Sequence, residues 1–202
     1  GGVSATRAEI YVASGVKTLV VAGNSIVGNS TASQGSHGVT LNIGDANLAT
    51  AMIGGDNCSS EVNYFTGIDG NPINVVDVGT TSPATADVTV RCNTIGFTSG
   101  AVSSSNGLTT SNAAIAVGEA DVIILKDNLI ANSSGFGANI TGGNKLEVYG
   151  NKFGTDSAGT SPYGLGASAL YVSSGSLAVA EGIATPVIIG GSSTTLGNLF
   201  AA

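Results

Sequence analysis

An asparagine followed two residues later by isoleucine or phenylalanine recurs along this chain, and what precedes it constrains the fold more than any other feature. The copies are Asn24-Ser25-Ile26, Asn63-Tyr64-Phe65, Asn93-Thr94-Ile95, Asn128-Leu129-Ile130, Asn151-Lys152-Phe153 and Asn198-Leu199-Phe200, at steps of 39, 30, 35, 23 and 47 residues. Four of these asparagines have apolar side chains five and three positions upstream: Leu19/Val21, Val88/Val90, Ile123/Leu125 and Leu146/Val148. Such alternation with a period of two marks a strand with one buried face. The remaining two copies keep the strand and insert a loop, Ala51-Met52-Ile53-Gly54-Gly55 running into Asn63 and Val187-Ile188-Ile189-Gly190-Gly191 into Asn198. Further upstream lies a second short apolar strand, at 10–12, 39–43, 73–76, 115–117 and 170–172.

Each unit therefore reads as strand, turn, strand, asparagine corner, short strand and loop. Units of this kind cannot bury their apolar faces alone, so they stack and share a core with their neighbours. The expected fold is all-β, a parallel β-helix of about six coils with long loop insertions, with residues 1–202 as one domain. Stacking places equivalent residues about 4.8 Å apart, close enough for Asn24, Asn63, Asn93, Asn128, Asn151 and Asn198 to form a hydrogen-bonded ladder along one inward corner. The isoleucine or phenylalanine after each one is expected beneath it in the core.

Composition agrees with such a chain and excludes several functions. Of 202 residues 31 are glycine and only 9% are charged, yet 42% are hydrophobic, whereas disordered segments combine low hydrophobicity with high charge. The six basic residues, Arg7, Lys17, Arg91, Lys126, Lys145 and Lys152, are scattered, and the net charge is −7. Phosphate backbones are bound by clustered Lys and Arg, so nucleic acid is excluded as a partner. No run of 18 apolar residues offers a membrane span. The start at Gly1-Gly2, without a basic and then apolar segment, is read as a chain whose targeting peptide has been removed.

The stretches Ile53-Gly54-Gly55, Ile189-Gly190-Gly191 and Gly150-Asn151-Lys152-Phe153-Gly154-Thr155-Asp156-Ser157-Ala158-Gly159-Thr160 resemble the right-handed parallel β-helix repeats of bacterial and archaeal surface proteins, over residues 8–200. The resemblance implies a right-handed coil, an extracellular or cell-surface location, and a structural role as scaffold or adhesin, with cell-surface glycans as candidate partners. It also admits an enzyme: a pectate-lyase-like protein uses bound calcium to acidify a uronate carbon and an Arg or Lys as base. Long loops after Gly28, Gly55, Gly79, Gly100 and Gly159 depart from the compact repeat.

Residues for lyase chemistry are sparse. Arg91 and Lys126, two positions before their corner asparagines, are expected to stack on adjacent coils with Asp127 and Glu147 nearby. Their alternative role is that of a solvated outer strand face, and this is the reading adopted. Calcium would need several converging carboxylate and carbonyl oxygens; Asp69-Gly70-Asn71 and Asp156-Ser157-Ala158-Gly159 are the loops with that chemistry, although isolated Asp-Gly and Asp-Ser pairs make turns. No cofactor is otherwise implied. The single histidine, His37, and the absence of CxxC or HExxH argue against zinc. Cys58 and Cys92 allow either a disulfide or two buried thiols. Sequons begin at Asn29, Asn57, Asn132 and Asn139. Tyr11, Tyr64, Tyr149, Tyr163 and Tyr171 are dispersed, suited to packing more than to a sugar platform.

A solenoid exposes strand edges and a slice of core at each end unless these are capped. No cap is visible beside Glu9-Ile10-Tyr11-Val12 or after Phe200. The expectation is a non-catalytic structural protein that either belongs to a longer solenoid or stacks head to tail into a fibre; a polysaccharide lyase or hydrolase acting on acidic glycans is the alternative.

Overall fold

A computed structural model describes residues 8–12, 16–28, 36–43, 49–76, 86–98, 101–102, 113–118, 120–173, 187–193 and 196–201. The chain winds as six successive coils of three strands. The first holds β1 (Ala8–Val12), β2 (Thr18–Val21) and β3 (Ser25–Val27), and the second β4 (His37–Asn42), β5 (Thr50–Ile53) and β6 (Asn63–Thr66). The third holds β7 (Ile73–Val76), β8 (Asp87–Arg91) and β9 (Asn93–Ile95), followed by a small antiparallel hairpin, β10 (Phe97–Thr98) and β11 (Ala101–Val102). The fourth holds β12 (Ala113–Val117), β13 (Val122–Lys126) and β14 (Leu129–Ile130), and the fifth β15 (Phe136–Ile140), β16 (Lys145–Tyr149) and β17 (Lys152–Phe153). The sixth holds β18 (Leu170–Val172), β19 (Val187–Ile189) and β20 (Leu199–Phe200).

Corresponding strands pair in parallel to give three sheets of six strands: sheet A from the first strand of every coil, sheet B from the second and sheet C from the third. This is a parallel β-helix of six coils, as the repeat implied. Among the described residues no helix is long and apolar enough to cross a membrane.

Register follows from the alternating pattern, because a slip of one residue would turn every apolar side chain outward. Leu19, Ala51, Val88, Ile123, Leu146 and Val187 form one inward column of sheet B, and Val21, Ile53, Val90, Leu125, Val148 and Ile189 the next. Sheet C contributes Ile26, Phe65, Ile95, Ile130, Phe153 and Phe200. In the four inner coils these residues are buried, and complete burial of one such aliphatic or aromatic side chain stabilises by about 1.5–3 kcal/mol. The sixth coil differs: Val187, Ile189 and Phe200 are exposed, so the expectation that every Ile or Phe after a corner asparagine lies in the core fails at Phe200. That residue keeps its column, its ring stacked on Phe153 with centroids 5.2 Å apart, but nothing described covers its other side.

The B-to-C corner is left-handed at the residue before the asparagine in four coils: Gly23 (φ 71°), Cys92 (φ 54°), Asp127 (φ 54°) and Gly150 (φ 69°). The two coils with inserted loops turn instead at Gly54 (φ 99°) and Gly190 (φ 82°). Gly54 has a second reason to be glycine, since a Cβ there would lie 1.6 Å from the Arg91 carbonyl oxygen of the next coil.

Residues 29–35, Gly79 and Gly100, with most of the loops that follow them, fall outside the described residues, as does the sequon at Asn29.

Candidate functional site

The corner asparagines form one continuous ladder. Each side-chain Nδ2 donates to the Oδ1 of the next, Asn24 to Asn63, Asn63 to Asn93, Asn93 to Asn128, Asn128 to Asn151 and Asn151 to Asn198, at 2.9–3.0 Å. In four of those five steps the backbone N–H of the lower asparagine donates to the same oxygen, at 3.0–3.1 Å. The second amide hydrogen points back, from Asn63, Asn93, Asn128, Asn151 and Asn198 to the carbonyls of Val21, Ile53, Val90, Leu125 and Val148, at 2.7–2.8 Å. Asn63, Asn93, Asn128 and Asn151 are buried, while Asn24 and Asn198 in the end coils are half-buried. The ladder has a direction: at each of the five steps the asparagine of the lower coil donates to the side-chain oxygen of the one above, from Asn24 to Asn198.

The inserted loop at 54–62 is tied on both sides. Gly23 N–H donates to the Glu61 carbonyl at 3.3 Å in the first coil, and in the third Cys58 is joined by a disulfide to Cys92 across a Cα separation of 4.8 Å. Arg91 forms an ion pair with Asp56 and donates a further bond to the Asp56 carbonyl at 3.2 Å. The disulfide thus resolves the choice the sequence left open, because the loop brings Cys58 beneath a corner 34 residues away.

On the outer face of sheet B, Arg91, Lys126 and Tyr149 stand in register on successive coils, the arrangement expected for the two bases. Each charge has a counter-charge or ring partner within the protein, while Arg91 Nε is buried without a hydrogen-bond partner among the described residues. Besides the Arg91–Asp56 pair, Lys126 Nζ lies 3.8 Å from Asp127 and 5.5 Å above the Tyr149 ring, and Lys145 pairs with Glu147 at 2.6 Å. That hydrogen-bonded pairing raises the Lys145 ammonium above its usual range, and burial followed by the Glu147 carboxylate pushes the Tyr149 phenol up. Among the described residues no three His, Cys, Asp or Glu side chains gather in a group able to hold a metal.

The two loops considered for calcium use their carboxylates internally. Asp69 is buried and accepts from Ser36 N–H at 2.6 Å and Ser36 Oγ at 2.7 Å. Beside it His37 Nδ1 lies 2.9 Å from the Asn71 nitrogen and 3.3 Å from the Asn71 carbonyl oxygen, and burial lowers its pKa below 6.5 against the raising influence of the Asn71 backbone and Asp69. Asp156 closes a surface turn, accepting from Thr160 N–H at 2.8 Å and Thr160 Oγ1 at 3.2 Å. Those bonds, the Thr160 N–H first, hold its pKa at about 2. Because the folded value lies below the ordinary 3.8, the carboxylate supports the turn fully at neutral pH and loses that support as pH falls from about 4 through 2. Carboxyl carbon NMR of Asp156 should therefore titrate near pH 2; a midpoint at or above 3.8 would show that the turn does not hold the charged form.

The tyrosines divide between packing and exposure. Tyr163 meets Phe97 edge-on and Tyr171 lies against Phe136, each with centroids 5.2 Å apart. Tyr11 and Tyr171 are exposed at the two ends of one outer column of sheet A. Tyr64 lines a cavity of about 370 Å³ with Gly23, Asn24, Ser25, Ser59, Ser60 and Val62, beneath the disulfide-bonded loop. Of the described sequon asparagines, Asn57 is exposed with its Oδ1 accepting from Ser59 N–H, Asn132 Nδ2 donates to the Gly96 carbonyl, and Asn139 lies within β15. No family model matches the chain, and no curated protein or solved structure matches it.

Proposed function

We propose that the chain is a non-catalytic extracellular structural protein, a β-helical scaffold or adhesin segment. One observation carries this reading: the polar and charged side chains best suited to chemistry are spent on joining neighbouring coils or adjacent residues. Asparagine amides, which could have lined a groove, are turned inward into the ladder, and the basic residues of sheet B have their counter-charges within hydrogen-bonding or ion-pair distance. A base that must remove a proton from a glycan would first have to leave those partners. The disulfide supports an oxidising, extracellular setting, since cytosolic thiols are kept reduced.

The test is incubation of the purified chain with acidic polysaccharides in the presence of calcium, followed by absorbance of unsaturated products. No release is expected, from the native chain or from Arg91→Ala and Lys126→Ala, and both variants should keep the native fold. Unsaturated oligosaccharides that appear with the native chain and vanish in either variant would replace the scaffold reading by a lyase.

A further inference from the structure

We propose that the outer edge of the sixth coil binds the outer edge of the first coil in a second copy of this chain, so that one asparagine ladder runs from copy to copy. The inference rests on the scaffold reading and deepens it by naming the partner.

Ladder direction makes the two edges complementary. At the upper edge Asn198 Nδ2 donates to the Val148 carbonyl; among the described residues neither its other amide hydrogen nor its backbone N–H has an acceptor. At the lower edge Asn24 donates through N–H and Nδ2 to Asn63, while its own Oδ1, the atom that in the other five asparagines accepts from the coil below, has no described donor. Two donors on one edge thus meet one acceptor on the other, the same set that is bonded at the four complete steps. Two upper edges, or two lower edges, would bring donor against donor or acceptor against acceptor. The contact is therefore heterologous, and a heterologous contact that does not close into a ring propagates as a filament.

Apolar surface follows the same register. Val187, Ile189 and Phe200 are 37%, 53% and 48% exposed, whereas Leu146, Val148 and Phe153 one coil below are fully buried. In the first coil Leu19, Val21 and Ile26 occupy the same three columns; Val21 and Ile26 are buried within the single chain, so the uncovered apolar surface is that of the upper edge and stacking would cover it.

Gly190 supplies the sharpest indication. It follows Ile189 as Gly54 follows Ile53, both in left-handed conformation at the mouth of an inserted loop. At Gly54 the next coil comes so near that a Cβ would overlap the Arg91 carbonyl oxygen, whereas at Gly190 nothing lies within 4 Å. The coil that follows Gly54 turns at left-handed Cys92, and the first coil turns at left-handed Gly23, so Ala22 of a second copy would take the place that Arg91 takes above Gly54.

Electron microscopy and sedimentation velocity of the native chain over a range of concentrations test the contact. Filaments are expected, with an axial repeat of about 29 Å, from six coils at about 4.8 Å each. Gly190→Asn places a side chain in space that is open in the single copy, and asparagine is the side chain least penalised in the left-handed conformation; it should abolish filaments while lowering the melting temperature by only a few degrees. Phe200→Asp, which sets a carboxylate in the apolar contact, should do the same without unfolding the inner coils. A native chain that sediments only as monomer overturns the proposal and leaves the edges to another occupant, such as further coils of a longer chain; filaments that persist in Gly190→Asn, or a repeat unrelated to 29 Å, overturn it as well. Cleavage of glycans would remove the scaffold reading without touching these outcomes.

Discussion

Replacing Asn128 by leucine should destabilise the protein by about 2–4 kcal/mol, a large fraction of the stability of an ordinary domain. Leucine has the same branching but is larger, so no cavity is left; the loss arises from hydrogen bonding, with crowding by its two methyl groups added to it. Asn93 N–H, which donates to Asn128 Oδ1, would lose its acceptor; Asn93 Nδ2 would keep only the Ile53 and Arg91 carbonyls, and the Val90 carbonyl would lose the Asn128 amide. Each unpaired buried group costs about 1–3 kcal/mol. Urea unfolding of the native and variant chains measures the difference. Asn198→Leu, at a half-buried edge where water reaches the amide, should cost much less; equal effects at the two positions would mean that burial is not what gives the ladder its strength.

Reduction of the Cys58–Cys92 bond should cost roughly 3–4 kcal/mol, the chain-entropy value for a closed loop of 34 residues. A reductant is preferable to substitution here, because it leaves both side chains in place, Cys92 being buried at its left-handed corner (φ 54°). In a stack where each coil contacts only its neighbours, the loss falls on the second and third coils. Denaturant unfolding with and without reductant, followed by amide exchange, should show protection falling first around β5, β6 and β8, with β13 and β16 less affected. An unchanged midpoint would mean that the unfolded chain already holds those cysteines close together.

Most of the coil architecture was legible because it depends on side-chain size and period, which a sequence displays directly. The alternating pairs before Asn93, Asn128 and Asn151 mark both the strand and its inward face. The tripeptide alone would not have sufficed: Asn71-Pro72-Ile73 also fits it, yet Thr66 and Ile68 do not lead into it as a strand, and Asn71 instead bonds Asn74 and the Ala113 N–H. Strand β15 gave little signal, since its buried positions are Gly137, Ala138 and Ile140; Gly137 is small because a Cβ would meet the Ala169 carbonyl oxygen of the next coil. A requirement imposed by a neighbour 32 residues away leaves no periodic trace. The hairpin of β10 and β11, two residues per strand, is below the length at which alternation can be read.

The candidate site was legible by residue type and not by partner. Arg91 and Lys126 were placed on adjacent coils by their common offset from the corner, but the pairing of Arg91 with Asp56 depends on how an inserted loop folds back. Ladder direction was likewise hidden, because the orientation of an amide is decided by its surroundings and an asparagine reads the same either way. Left-handed corners at Cys92 and Asp127 lack the glycine that would have announced them.

The disulfide also gives the stack a mechanical asymmetry. Pulled from its two ends, a β-helix peels coil by coil, because each layer is held only by its neighbours. Tension that unwinds the upper coils would travel down until it reached Cys92. There the covalent tie to Cys58 withholds 34 residues from extension, about 110–120 Å of contour at full stretch. The segment from Cys58 to Cys92, which holds β6, β7 and β8, would then carry load as a closed loop, so the upper coils extend above a tie that can loosen but not lengthen.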